Sequence, residues 1–394
     1  MRRTLRVLIP LVAIAGVGFL LFRTATNHKN KPDGPLKVPQ GFSLEIFAKD
    51  LPGARVMVRD LFGNMWVSQT SKGTVSLLEV DKETGKVSSA SVILKNLKHP
   101  HGILFGAGEQ STALYVAEEN QIIRIATYSD QEKPDILVSL PDDGGHYTRT
   151  IAWLPGYENE KMLVSVGSSC NVCNETDERR AKILLLNVKT GTVEEFARGL
   201  RNTVFMATHP VTGEIWGTDM GRDNLGDDIP PDEINIICSP SMYSGQNFSP
   251  KNFGWPNCYG KNIHDTDFDK NTYIRNPCME PFETPSHIDI PAHSAPLGIA
   301  FVPEEGWPKA WWHNALVAYH GSWNRSEKTG YKIVRFPLDP QGNPIGDPVD
   351  FVTGFLVGDT AIGRPVGLLI EPGSALYISD DAAGMIYKLS RKSS

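Results

Sequence analysis

Six times along the chain, a hydrophobic step into a turn marked by proline or glycine leads to a short strand that ends polar. These strands read GNMWVSQ from Gly63, ALYVAEE from Ala113, KMLVSVG from Lys161, GEIWGTD from Gly213, NALVAYH from Asn314 and SALYISD from Ser374. Upstream of five of them stand GILFGAG, IAWLPG, FMATHPVTG, LGIAFVPEEG and VGLLIEPG. After several comes one more strand and turn, as in TVSLLEVDKETG, KILLLNVKTG and KIVRFPLDPQG. A unit of roughly 50 residues with about four short strands is the signature of a propeller blade. The expected fold is therefore all-β, a six-bladed β-propeller. The fourth and fifth units are about twice as far apart as their neighbours. Residues 239–292 between them are rich in Asn, Pro, Ser and aromatic residues, with little alternation, and read as a long inserted loop. The strand FSLEIFA at Phe42–Ala48 is expected to pair with the last unit near MIYKLS and close the ring.

Composition adds limits. A chain of 394 residues, 40% hydrophobic and 21% charged, is long enough for a large core. A net charge of −6 with no long basic run argues against a nucleic-acid partner. Arg2, Arg3 and Arg6 precede the apolar run Val7–Phe22. Residues 1–23 thus read as a signal peptide or signal anchor, 24–39 as a linker and 40–394 as the propeller. Export to the periplasm or cell envelope follows, with membrane anchoring through residues 5–22 as one of the two outcomes. In such a compartment Cys170 with Cys173 could close a small ring, and Cys258 with Cys278 could staple the insertion, leaving Cys238 odd. Asn174 stands where a haem attachment needs histidine.

The polar blade ends carry the candidate chemistry. His146, in PDDGGHYTRTIAW, could take a proton from a substrate hydroxyl or hemiacetal, although a lone loop histidine more often serves the backbone. Arg201 and Asn202, one blade later, suit a carboxylate or quinone oxygen, or a surface ion pair and a turn. The segment TDMGRDNLGDDIPPDEIN offers dense oxygen ligands for Ca²⁺, or only a solvated acidic loop. His320, Trp323, Asn324 and Arg325 cluster at the fifth blade, with Trp323 able to stack on a flat ligand; Arg364 precedes the last. Because these residues occupy equivalent connections, one axial mouth can collect them.

Taken together, VPQGFSLEIFA, HPHGILFG, GGHYTRTIAW, the LRN at Leu200–Asn202, GTDMGRDNLGDDIPPDEIN, NFGWP, HGSWNR and GRPVGLL resemble the soluble glucose/sorbosone dehydrogenase family that depends on pyrroloquinoline quinone (PQQ). The resemblance implies that the quinone lies over the axial mouth, with His146 as general base. It implies cofactor contacts from Arg201, Asn202 and Arg364, with His320, Trp323, Arg325 and Asn64 as further candidates. Met220 and Gly221 would hold Ca²⁺ through backbone carbonyls, and Glu233 with the Tyr259 carbonyl a second Ca²⁺. The sequence departs from the glucose-oxidising branch in having no lysine near Gly321, Ile362 in place of an arginine and Ser169 in place of a glutamine. The implied reaction is oxidation of an aldose, or a sorbosone-like sugar aldehyde, to lactone or acid. Electrons would leave to a separate cytochrome or quinone. The alternatives are a non-catalytic envelope propeller that binds sugar or protein, and a calcium-dependent hydrolase of the lactonase type.

Overall fold

The structure, a computed structural model, describes residues 36–392 apart from 109–111, 129–132, 245–247 and 374. The basic and apolar N-terminal segment and most of the linker lie outside the described residues. Among the described residues no helix is long and apolar enough to cross a membrane. Six antiparallel sheets stand around one axis. From inside out, the first blade is Ala54–Arg59, Met65–Gln69, Thr74–Val80 and Val87–Leu94. The second is Ile103–Phe105, Ala113–Ala117, Gln121–Ala126 and Asp135–Ser139. The third is Ile151–Trp153, Lys161–Val166, Lys182–Asn187 and Val193–Arg198. The fourth is Thr203–Thr208, Ile215–Asp219, Asp232–Cys238 and Ile288–Ile290. The fifth is Pro296–Phe301, Ala315–Tyr319, Lys332–Phe336 and Val349–Val352. The sixth is Pro365–Glu371, Ala375–Asp380, Met385–Arg391 and, as outer strand, Phe42–Ala48. That last strand pairs antiparallel with Met385–Arg391, with Phe42 opposite Arg391, so the two ends of the domain share one sheet.

The second strand of each blade is enclosed on both faces by neighbouring sheets. Met65–Gln69, Ile215–Asp219 and Ala315–Tyr319 are buried throughout, which explains a continuous apolar run in place of alternation. Each of the six blade interfaces has its own cluster. Trp66, Val75, Leu114 and Ile123 pack between the first two blades, and Leu316, Ile333, Leu376 and Leu389 between the last two. The span 239–292 is more structured than a loop. Lys251–Asn252 adds a parallel strand to the third blade, Cys258 is bonded to Cys278, and Ile288–Ile290 is the outer strand of the fourth blade. The insertion therefore lies inside the fourth blade, not between blades. Cys170 is bonded to Cys173, and Cys238 is buried and free.

The inner strands approach one another too closely for a side chain at one recurring position. A Cβ on Gly367 would strike the Arg55 carbonyl, one on Gly298 the Val366 carbonyl, and one on Gly102 would come within 2.8 Å of the Arg149 carbonyl. Gly367→Ala should thus cost about 1–3 kcal/mol. Gly346→Ala meets nothing nearer than 3.7 Å and should stay within about 0.5 kcal/mol of the parent. Equal urea midpoints for the two variants would refute this close approach.

Candidate active site

The mouth is built where inner strands begin and second strands end. Near the mouth the pairing register slips, between Thr203 and Phe205 in the fourth blade and between Pro365 and Leu368 in the sixth. The freed amides are caught by the polar ends of the second strands. Asp219 accepts from the Arg201 and Asn202 amides at 3.0 and 2.9 Å and from Thr203 Oγ1 at 2.8 Å. Asp380 accepts from the Arg364 amide at 2.9 Å and from the amides of Ala382 and Ala383. Asp232 takes the Gly221 and Ala295 amides, both at 2.9 Å. Ser68, Ser165 and Ser379 accept from Val56, Thr150 and Gly367 in the same way. Burial raises the carboxyls of Asp219 and Asp232 to about 6 and about 7, despite these hydrogen bonds.

This frame brings His146, Arg201, Asn202, Met220, Gly221, His320, Trp323 and Arg364 to one cavity of about 260 Å³. Asp223, Asp232, His293 and Asn324 line it as well. His146 reaches it on a loop whose carbonyls at Pro141, His146 and Thr148 all accept from the buried Arg149 guanidinium. Gly167 leaves room for both His146 and Asn202, since a Cβ there would lie 2.7 Å from His146 Cβ and from Asn202 Oδ1. His146 Nδ1 lies 2.9 Å from both the carbonyl and the hydroxyl of Ser168. That hydroxyl gives its own proton to the Cys170 carbonyl. Both neighbours are therefore acceptors, the proton sits on Nδ1, and Nε2 keeps the lone pair. Burial, and next the Arg201 charge, hold this imidazole down to about 3.

The two arginines are used differently. Arg201 donates Nε to the Asn171 carbonyl, Nη1 to the carbonyls of Met220 and Gly221, and Nη2 to Asn171 Oδ1 and Asp223. All five donors are thereby used within the protein. Arg364 gives Nε to the His320 carbonyl and Nη2 to that of Gly321, and stacks over Tyr331. It has no carboxylate ion-pair partner among the described residues and keeps donors to spare. His320 bonds Asp381 at 2.9 Å, and Arg55 joins Asp381 at 2.7 Å to the buried His101 at 3.2 Å. Burial opposes ionisation of Asp381, but the His320 hydrogen bond with the charges of His320, Arg55 and Arg364 wins and holds it to about 2. Val204, Leu297 and Val366 close the axis below. A second axial cavity of about 290 Å³, at the other end of the inner strands, is lined by no ionisable residue.

Four candidates lie outside the mouth cavity. Asn64 sits in the hairpin between the first two strands of its blade, at the far end from the mouth. There its amide bonds Asp60 and accepts from the Val80 amide, which corrects its assignment to the cofactor group. Arg325 stands one residue beyond the lining and ties its loop to Asp227 and Asp228. Glu233 and Tyr259 line a separate cavity of about 20 Å³ behind the Met220–Gly221 turn. Burial pushes Glu233 up to about 8. Nearby Glu283 is buried with neither carboxylate oxygen hydrogen-bonded, and burial, then Glu233, raises it to about 9.

The implied groups meet these residues unequally. An anionic quinone suits Arg364, which lines the cavity and has donors unused. A cation suits the Glu233–Glu283 region, where acidic groups lack compensating charge. At Met220 and Gly221 a cation would share carbonyls that already accept from Arg201, through their second lone pairs.

Sequence reading missed Arg149, His293, Asn171 and the pairing of Asp381 with His320. Arg149 and His293 lie in segments already singled out or adjoining them, but their roles come from carbonyl contacts: Arg149 ties together its own loop, and His293 Nε2 lies 2.8 Å from the Gly226 carbonyl.

Two arginines, three histidines and two aspartates thus meet at the axial mouth of a six-bladed ring, a fold shared with PQQ-dependent sugar dehydrogenases. The model of the TrAA12-like family matches residues 36–392, and the chain belongs to that family. An uncharacterized protein of Borreliella burgdorferi is 31% identical over 373 residues, 90% of each chain. The pyrroloquinoline quinone-dependent pyranose dehydrogenase of Coprinopsis cinerea is 25% identical over 92% of this chain, which spans 56% of that protein. The holo form of its PQQ domain superimposes with a TM-score of 0.75 at 22% identity, covering 92% of this chain and 98% of that one. A calcium structure of a Trichoderma reesei AA12 enzyme gives a TM-score of 0.77 at 20% identity, covering 93% of this chain and 100% of that one. The relatives with a named activity are thus sugar oxidoreductases.

The low value at His146 sets a stability dependence on pH. The folded state binds fewer protons there than the unfolded state between about pH 6.5 and about 3, so stability falls as pH falls through that window. Urea unfolding at pH 5.0 and 7.5 should show His146→Gln losing about 1–2 kcal/mol less on acidification than the parent. An equal loss in both proteins would mean that the imidazole is not held neutral.

Proposed function

We propose that the chain is a PQQ-dependent dehydrogenase that oxidises an aldose, or a related sugar aldehyde, to the lactone or acid. One observation carries this reading. A single cavity holds an imidazole with its lone pair fixed on Nε2 and an arginine with unused donors. When bound, the quinone supplies the hydride acceptor. His146 takes the proton of the sugar hydroxyl on Nε2, while Ser168 holds the ring by Nδ1. Arg364 donates to a cofactor carboxylate, Asn202 offers its amide, and Arg201 acts as a fixed positive charge whose bonds are all internal. Bound negative charge opposes the effect of Arg201 and raises the basicity of His146. Trp323, 74% exposed at the rim, offers a flat face to the cofactor or the sugar ring. Met220 and Gly221 would hold Ca²⁺ at the mouth, and Glu233, the Tyr259 carbonyl and Glu283 a second one. An envelope location fits the apolar run near the N-terminus and the two disulfides.

Purified protein mixed with PQQ and Ca²⁺ should reduce a redox dye in the presence of aldoses. Cofactor uptake without turnover on any sugar would instead favour a binding role. His146→Ala should lower turnover by about 10²–10⁴-fold while the quinone Kd stays within a few-fold; undiminished turnover would remove His146 as the base. Arg364→Ala should weaken quinone binding by roughly tenfold or more, read by absorbance titration, and an unaltered Kd would remove Arg364 from the site.

A further inference from the structure

The loop closed by Cys170 and Cys173 is only four residues long, and its second residue uses both acceptor positions and one donor of its side chain. Asn171 Oδ1 accepts from Arg201 Nη2 at 2.9 Å and from the Asp223 amide at 2.7 Å. Its Nδ2 donates to the Asp223 carbonyl at 3.0 Å, and its own carbonyl accepts from Arg201 Nε at 2.9 Å. Asp223 in turn bonds Arg201 Nη2 at 3.1 Å and accepts from Asn324 at 2.7 Å. One asparagine thus holds the guanidinium of the third-to-fourth connection, the turn after the fourth blade's second strand and, through Asp223, the loop of the fifth blade. The same ring steadies His146, because Ser168 Oγ, which faces Nδ1, donates to the Cys170 carbonyl at 2.7 Å. The loop carrying these contacts has no strand ladder of its own, and the disulfide removes much of the freedom it would otherwise have.

We propose that Asn171, presented by the Cys170–Cys173 ring, is a positioning residue for the mouth, and that anionic cofactor binding there depends on the ring being closed. Asn171 touches neither cofactor nor substrate in this role; it acts through Arg201 and Asp223. The cofactor half of the proposal rests on the function proposed above, whereas the clamp itself does not.

The experiment has two readouts on the full chain. Hydrogen exchange at the Asp223 amide reports the clamp without cofactor, and an absorbance titration with PQQ reports the mouth. Asn171→Ala and the double variant Cys170→Ser with Cys173→Ser should both speed exchange at Asp223 by roughly tenfold or more and weaken PQQ binding by a similar factor. Asn174→Ala, exposed just beyond the ring, should change neither. Unchanged exchange in Asn171→Ala overturns the clamp. Fast exchange in Asn171→Ala alone overturns the role of the disulfide. Fast exchange in both variants with a parental Kd overturns the link to cofactor binding. A parent protein that takes up no PQQ sinks the proposed function, and exchange at Asp223 then still decides the clamp. Should the double variant fail to fold, Asn171→Ala, which leaves the disulfide intact, carries the decision.

Discussion

Backbone amides near the axis must find partners where neither water nor a neighbouring strand can supply them. Inner strands slip register close to the mouth, and a buried donor left unmade costs about 1–3 kcal/mol. In four blades the polar end of the second strand answers this need, with serine hydroxyls in the first, third and sixth blades and carboxylates in the fourth and sixth. Function is layered on that requirement. Asp219 and Asp380 catch the amides of Arg201 and Arg364, so the same backbone need that completes each blade also aims a guanidinium at the cavity. Had these carboxylates stood at the surface, the arginines would hang on mobile loops.

The mouth sets two guanidiniums beside the carboxyls of Asp223 and Asp232, on a chain whose net charge is −6. How each donor is used matters more than that total. Arg201 is saturated by carbonyls, Asn171 and Asp223, while Arg364 meets only two carbonyls and an aromatic face. One is an anchored charge and the other an open fork. Burial, and next the charge of the first, keep His146 neutral, which suits a group whose task begins with a free lone pair.

The repeat was legible because second strands are enclosed on both faces and so read as unbroken apolar runs with a polar end. Closure through Phe42–Ala48 was legible from its strand pattern and its place before the first unit. Ile288–Ile290 was hidden because three residues are too few to show alternation, and so the insertion appeared to separate blades. Asn64 was misplaced because a strand-flanking asparagine reads alike at either end of a hairpin; only the sense of the strand in the ring shows which end meets the axis. The two glycines just before His146 are not slack. Gly144 is instead pressed against Ser169, with the Gly145 amide bonded to the Ser169 carbonyl at 2.7 Å. Asn171 acts on the side chain and backbone of other loops, and Arg149 gathers the carbonyls of its own loop; neither contact follows a residue spacing that the sequence displays.

The sharing of the sixth sheet between Phe42–Ala48 and Met385–Arg391 also sets an order of events during biosynthesis. Of the propeller's strands, the first to leave the ribosome is the outer edge of the last blade to be completed. Until the final strand emerges, Phe42–Ala48 has an unsatisfied hydrogen-bonding edge, and the ring stays open between its first and sixth members. A truncation that removes Met385–Arg391 therefore leaves two loose ends in place of one, because among the described residues that strand is the only ladder partner of Phe42–Ala48.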